Sequence, residues 1–240
     1  MGAMVFDQSE FEIRCEWGRQ GASLLAPISD LLIIVDVLSF STAVEIATAR
    51  GAVIYPYRWR DETAHGFAGS VSAEVADRKN KNGYSLSPAS LLTVPAGARL
   101  VLPSPNGSEI SLSTGSTLTM AGCLRNCRAV AEFAMSRGRK IAVIPAGERW
   151  EDGSLRPCLE DLVGAGAIIR HLRGRRSPEA GLAVAAFESS SSMLLETIKS
   201  CGSGKEKLLR GEEQDLRLAS ALDASGCVPV LADGAYQMTL

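Results

Sequence analysis

Asp36 stands at the end of the apolar run LLIIV in LLIIVDVLSFST (31–42), with Ser39, Ser41 and Thr42 just behind it. A carboxylate placed there can hold a metal or attack phosphorus, and its ordinary alternative is to cap the helix that follows. Two more stretches bring polar groups to the end of an apolar run. Ser104-Pro105-Asn106-Gly107-Ser108 follows RLVLP, and Gly147-Glu148-Arg149 follows KIAVIPA, with Glu160-Asp161 opening the next helical stretch. In open α/β sheets, ligands bind beyond the carboxyl ends of strands, so the three stretches together define a candidate site.

The residue types suit phosphoester chemistry. An Asn106-Gly107-Ser108 turn can aim backbone N–H groups and a hydroxyl at an anion, although an Asn-Gly turn is also an ordinary chain reversal. Arg149 can clamp phosphate oxygens in a bidentate fork or pair with a neighbouring acid. Glu160 and Asp161 can complement a helix dipole or serve as metal ligands. A magnesium ion bridging Asp36, one of Glu160 or Asp161, and a phosphate oxygen would polarise the phosphorus. The sequence leaves open whether Asp36 is ligand or nucleophile. It excludes the haloacid-dehalogenase pattern Asp-x-Asp, because Leu38 occupies the second acid's place.

Other chemistries find little support. His65 and His171 are the only histidines, and neither has a Cys or carboxylate at metal-ligand spacing, so His171 reads as a surface or packing residue. Cys123-x-x-x-Cys127 would put two thiols on one helical turn, but zinc takes four ligands and no second pair follows. No G-x-x-x-x-G-K-[ST] or G-x-G-x-x-G motif marks a nucleotide site. A net charge of −2 argues against nucleic-acid or membrane-surface binding. The absence of a secretory pattern or spanning apolar run, with six scattered cysteines, points to a cytoplasmic, reduced protein.

These residues need a scaffold, and strand-like and helical runs alternate along the 240 residues. EFEIRCEW (10–17) alternates like a half-exposed antiparallel strand, while LLIIVDV (31–37) is apolar on both faces like a central one. Helix 41–51 and strand AVIYPY (52–57) would complete a right-handed β-α-β unit. A helix fragment and long loop over 60–95 are expected next, then a strand running into a tight turn over 99–108, a short strand at 117–122 and a helix at 124–138. A strand at 140–147 and helices at 159–174, 179–188, 193–200 and 205–223 follow, before VPVLADG. The expectation is a three-layer α/β/α fold with a mixed β-sheet, in a single domain over 5–240.

The ordered motifs DVLSFST (36–42), LSP (86–88), PNGS (105–108), PAG (145–147), EDLVGAG (160–166), SGKEKLLRGEEQD (203–215) and VPVL (228–231) resemble those of the 2-phosphosulfolactate phosphatases (ComB-like proteins). The resemblance runs from about residue 30 to residue 231. It implies a magnesium-dependent hydrolase that, in coenzyme M synthesis, converts 2-phosphosulfolactate to sulfolactate and phosphate, and a homodimer is a compatible assembly. Carried over by position, it marks Asp36 and Asp161 as catalytic and Asp36, Glu160, Asp161 and Asp215 as metal ligands. The same carry-over adds Asn106, Gly107, Ser108 and Gly204 for substrate binding, and Ser39, Ser41, Thr42, Arg149 and Lys205 complete that set from their own chemistry and place in the motifs. The chain departs from the family pattern at Ser39, where an arginine follows DVL, at Leu86 for the Asn of NSP, and at Lys205 for the Arg of SGR. Losing a guanidinium contact to an anion would cost about 1.5–3 kcal/mol, which Arg78, Lys79 or Arg149 could offset. A second reading therefore stands beside the first: a relative that binds an anionic metabolite or a protein partner without turnover.

Overall fold

The structure is a computed structural model that describes residues 6–77 and 83–239. Arg78 and Lys79 lie outside the described residues. A nine-stranded mixed sheet is covered by helices on both faces, a three-layer α/β/α arrangement. Its order begins Ile13–Cys15, Ile141–Pro145, Leu31–Val35 and Leu118–Gly122, all parallel. The hairpin Pro229–Ala232/Ala235–Met238 follows, and then the parallel group Val53–Tyr57, Arg99–Pro103 and Glu74–Val75. The hairpin pairs antiparallel with both of its neighbours, Leu118–Gly122 and Val53–Tyr57.

Leu31–Val35 is flanked on both sides, and all five of its residues are buried, which explains its unbroken apolar sequence. Alternate residues serve opposite layers. Ile33, Met120 and Val143 pack with helices Cys127–Arg137, Leu159–Ile169 and Pro178–Ser190. Leu32, Ile34, Ala142 and Ile144 pack with Ala22 and Leu25 of helix Gly18–Leu25. Helix Phe40–Ala49 packs with Ile54, Leu100, Leu102 and Tyr236 in the second half of the sheet. Helix Thr63–Ser70 joins Tyr55, Val75 and Val101.

Three expectations are corrected. Residues 13–15 form a buried strand parallel to 141–145, so the sheet is mixed because of the C-terminal hairpin and not because of the first strand. Strands 31–35 and 53–57 are not neighbours and make no simple β-α-β unit, since the 118–122 strand and the hairpin lie between them. The helix read over 205–223 is two helices, Gly202–Leu209 and Glu213–Ala219, broken where Gly211 takes a φ of +74°. Among the described residues no helix is long and apolar enough to cross a membrane.

Candidate active site

The main chain turns at Asp36 from strand 31–35 into helix Phe40–Ala49. Ser41 Oγ donates to Ile34 O at 2.9 Å and accepts from the Asp36 N–H at 3.0 Å, locking this turn. Asp36 Oδ1 accepts from the Phe40 N–H and Oδ2 from the Gly107 N–H, both at 3.0 Å. The acid thus caps its own helix and also ties it to the turn after strand 99–103. Gly107 is required at this approach: a Cβ there would lie 2.3 Å from the Phe40 ring and 2.8 Å from Asp36 Oδ2.

Asp161 performs a similar bridging from the first turn of helix Leu159–Ile169. Its Oδ1 accepts from the Val37 N–H at 2.7 Å and its Oδ2 from the Gly147 N–H at 2.8 Å. The ends of strands 31–35 and 141–145 are therefore joined through one carboxylate. Next to it, Glu160 Oε2 accepts from the Cys201 thiol at 3.1 Å. Glu148 Oε2 accepts from Asn106 Nδ2 at 2.8 Å, linking the ends of strands 99–103 and 141–145.

These acids repel one another. Burial first, then Glu148, pushes the Asp36 carboxyl up to about 7 against the pull of the two N–H donors, and Glu160 adds to the rise. Burial, Asp36 and Glu160 hold Asp161 well above the usual carboxylate range. A divalent cation would relieve that excess of negative charge.

Asp36 opens into a cavity of about 880 Å³. Its wall includes Leu38, Ser39, Arg60, His65, Ser87, Ser104, Asn106, Glu148, Arg149, Arg156, Lys207 and Arg210. Ser39 Oγ is buried there with no hydrogen-bond partner, available to a ligand oxygen. Arg149 is anchored by Glu109, which also pairs with Arg58 at 3.2 Å and Arg19 at 3.4 Å. Lys207 is held by Asp215 at 3.1 Å and Glu212 at 2.8 Å. Arg60 donates a long 3.4 Å bond to Pro103 O, and the Arg156 guanidinium lies over the Trp150 ring at 5.6 Å.

The sequence-derived residues thus separate into groups. Asp36, Ser39, Asn106 and Arg149 line the cavity together. Glu160 and Asp161 lie close behind Asp36 without lining it. Thr42 Oγ1 donates to Val37 O and Ser108 Oγ to Leu102 O, so both hydroxyls, like that of Ser41, fasten backbone. Gly204 is a packing glycine, with Ile198 O only 1.8 Å from where a Cβ would sit. Lys205 is exposed outside the cavity. Asp215 is not gathered with Asp36, because Oδ1 accepts from Ser87 Oγ and the Ala89 N–H and Oδ2 pairs with Lys207.

Arg60, Lys207 and Arg210 are assigned no role from the sequence motifs, and neither is Glu148, present in the polar stretch after strand 141–145. Glu148 directly follows the PAG motif, and Lys207 and Arg210 lie inside SGKEKLLRGEEQD, so a signal for these three is present in the sequence. No pattern marks Arg60, whose place depends on the fold.

Magnesium is usually bound through one or two carboxylates, with waters and substrate phosphate completing the shell. Asp36 at the cavity wall and Glu160 behind it would be the donors, and these two with Glu148 do not bring three ligand atoms within 4.8 Å of one another. A closed cage of the four expected carboxylates is not present: among the described residues, no three of them bring ligand atoms within 4.8 Å of one another.

An α/β scaffold whose strand ends gather acids and cations round one polar cavity belongs with enzymes that handle small anions, and the comparisons narrow the class to phosphatases. The sequence profile of 2-phosphosulpholactate phosphatase matches residues 22–234, and the chain belongs to that family. A relative from Methanothermobacter thermautotrophicus, named 2-phosphosulfolactate phosphatase, is 27% identical over 211 residues, covering 88% of this chain and 90% of the relative. Relatives named probable 2-phosphosulfolactate phosphatase come from Gloeobacter violaceus, 26% identical with 83% of this chain and 87% of the relative covered, and Thermotoga maritima, 24% identical with 89% and 96% covered.

Proposed function

We propose that the chain hydrolyses a small acidic phosphoester, with 2-phosphosulfolactate as the substrate and sulfolactate and phosphate as products. The observation that carries this reading is the cavity in which buried Asp36 faces Ser39, Arg60, Arg149 and Lys207. A phosphate with two further acidic groups needs several cations around it, and charge-assisted contacts are the strong ones. The missing arginine at position 39 is offset by guanidinium groups from elsewhere on the wall, Arg60 and Arg156 among them.

In this reading Asp36 and Glu160 would hold magnesium, which when bound neutralises phosphoryl charge and polarises phosphorus. The two N–H bonds fix the Asp36 carboxylate and leave each oxygen a lone pair, and in this reading Asp36 serves as a ligand. Water is then the attacking group, and Glu148, oriented by Asn106, accepts its proton. The cations on the wall orient the ester and stabilise charge on the departing alkoxide side.

The test is phosphate release across a panel of phosphorylated 2-hydroxy acids, with magnesium and with chelator. Turnover that needs magnesium and favours 2-phosphosulfolactate supports the assignment. Calorimetric binding of the same esters without release would instead support the non-catalytic reading. Borohydride trapping at Asp36 during turnover would make that residue the nucleophile.

A further inference from the structure

Cys127, His171 and Asp223 come from three separate segments and converge away from the cavity. One ligand atom from each lies within 4.8 Å of the other two. Cys127 opens helix Cys127–Arg137, His171 follows helix Leu159–Ile169, and Asp223 lies in the loop leading to the C-terminal hairpin. At about 1.5 Å per residue, helix 159–169 separates the cluster from Glu160 and Asp161 by roughly 15 Å.

The loop is set to present its acid. Asp223 takes a φ of +50°, uncommon for a residue other than glycine. Its N–H donates to Leu124 O at 3.0 Å and the Ser225 N–H to Arg125 O at 2.9 Å, seating the loop on the start of the 127–137 helix. Asp223 Oδ1 accepts from Cys127 Sγ and from the Arg128 N–H, both at 3.0 Å, while Oδ2 faces the Arg128 guanidinium at 3.4 Å.

We propose that Cys127 Sγ, an imidazole nitrogen of His171 and Asp223 Oδ1 form a second metal site, for a zinc-class divalent cation. Thiolate, imidazole and carboxylate are the donors zinc takes in tetrahedral geometry, with water in the fourth position. Their softness separates the site from the all-oxygen cluster at Asp36, which suits magnesium. Binding exchanges a proton for the metal: Cys127 gives its S–H proton to solvent, and thiolate plus carboxylate balance the ion's two charges. Arg128 remains on Oδ2 and orients the ligand from behind. A nucleophilic Cys-His-Asp relay does not fit, because the thiol donates to the acid and not to the imidazole, and burial with Asp223 pushes it up. A bound ion would fasten the C-terminal loop to the helix that carries Glu160 and Asp161.

Metal-stripped protein titrated with Zn²⁺ alone against a chromophoric chelator, and with Co²⁺ in visible absorption, tests the site. The expected result is one tight ion per chain and a thiolate-to-cobalt charge-transfer band. Cys127→Ser should abolish the band, and half-buried His171→Ala, which leaves the core intact, should weaken binding by about a hundredfold. No uptake by the unaltered chain, or uptake unchanged in His171→Ala, would overturn the proposal. So would a band that survives Cys127→Ser and disappears in Cys201→Ser, since it would place the ion beside Glu160.

Discussion

Asp36 is both a helix cap and the acid of the candidate site, so the two readings open to it in the sequence are not exclusive. Its two backbone donors fix the carboxylate, and burial beside Glu148 raises it from an ordinary 3.8 to about 7. The folded chain therefore holds the Asp36 proton more tightly than the unfolded chain does. Without metal, that contribution to stability is complete below pH 4 and is lost as pH rises through 7. Denaturant midpoints in chelator should fall between pH 4 and 8, and fall less steeply in Asp36→Asn; identical slopes would contradict the burial argument. Gly107→Ala forces a methyl group against Phe40 and Asp36, and should cost about 1–3 kcal/mol in the same measurement together with most activity. Asp36, Asn106 and Arg149 could be placed together because Asp36 directly follows an apolar run and the other two follow theirs within three residues. Ser41, Thr42 and Ser108 misled because a hydroxyl near a strand end serves backbone carbonyls as readily as a ligand.

At the scale of elements, helix 159–169 works as a strut. Its acids sit at the positive end of the helix dipole, and Asp161 reaches the backbone beyond two neighbouring strands. Asp161→Asn leaves one of the Val37 and Gly147 N–H groups facing an amide donor. It should lower stability by about 1–3 kcal/mol and reduce kcat, although Asp161 does not line the cavity. Helix 202–209 presents Lys207, held between Glu212 and Asp215. Lys207→Met should raise KM about tenfold with a smaller change in kcat, as expected for binding shared by substrate and transition state. Equal losses in kcat and kcat/KM would instead give Lys207 a role confined to the transition state. The resemblance marked Asp215 as a metal ligand; here its carboxylate positions the lysine, a pairing that separation along the chain concealed.

Across the whole molecule, the layered α/β/α class and most of the long strands could be read from apolar runs and their helical partners. Strand order could not, because it depends on where the C-terminal hairpin inserts. The hairpin had its own signal in Asp233-Gly234, both at positive φ, between VPVLA and AYQM. Its insertion splits the sheet into two parallel groups, and the site forms where strand ends from both meet, through the Asp36–Gly107 and Asn106–Glu148 bonds. The cations were the least legible part of the site, since Arg60, Arg149, Arg156 and Lys207 reach one cavity from four separate stretches. The most direct measurement of the central claim is phosphate release from 2-phosphosulfolactate at pH 7 with magnesium, by the unaltered chain and by Asp36→Asn. The expected result is turnover that chelator stops and the substitution lowers at least a thousandfold; magnesium-dependent turnover that survives Asp36→Asn would overturn the assignment of Asp36.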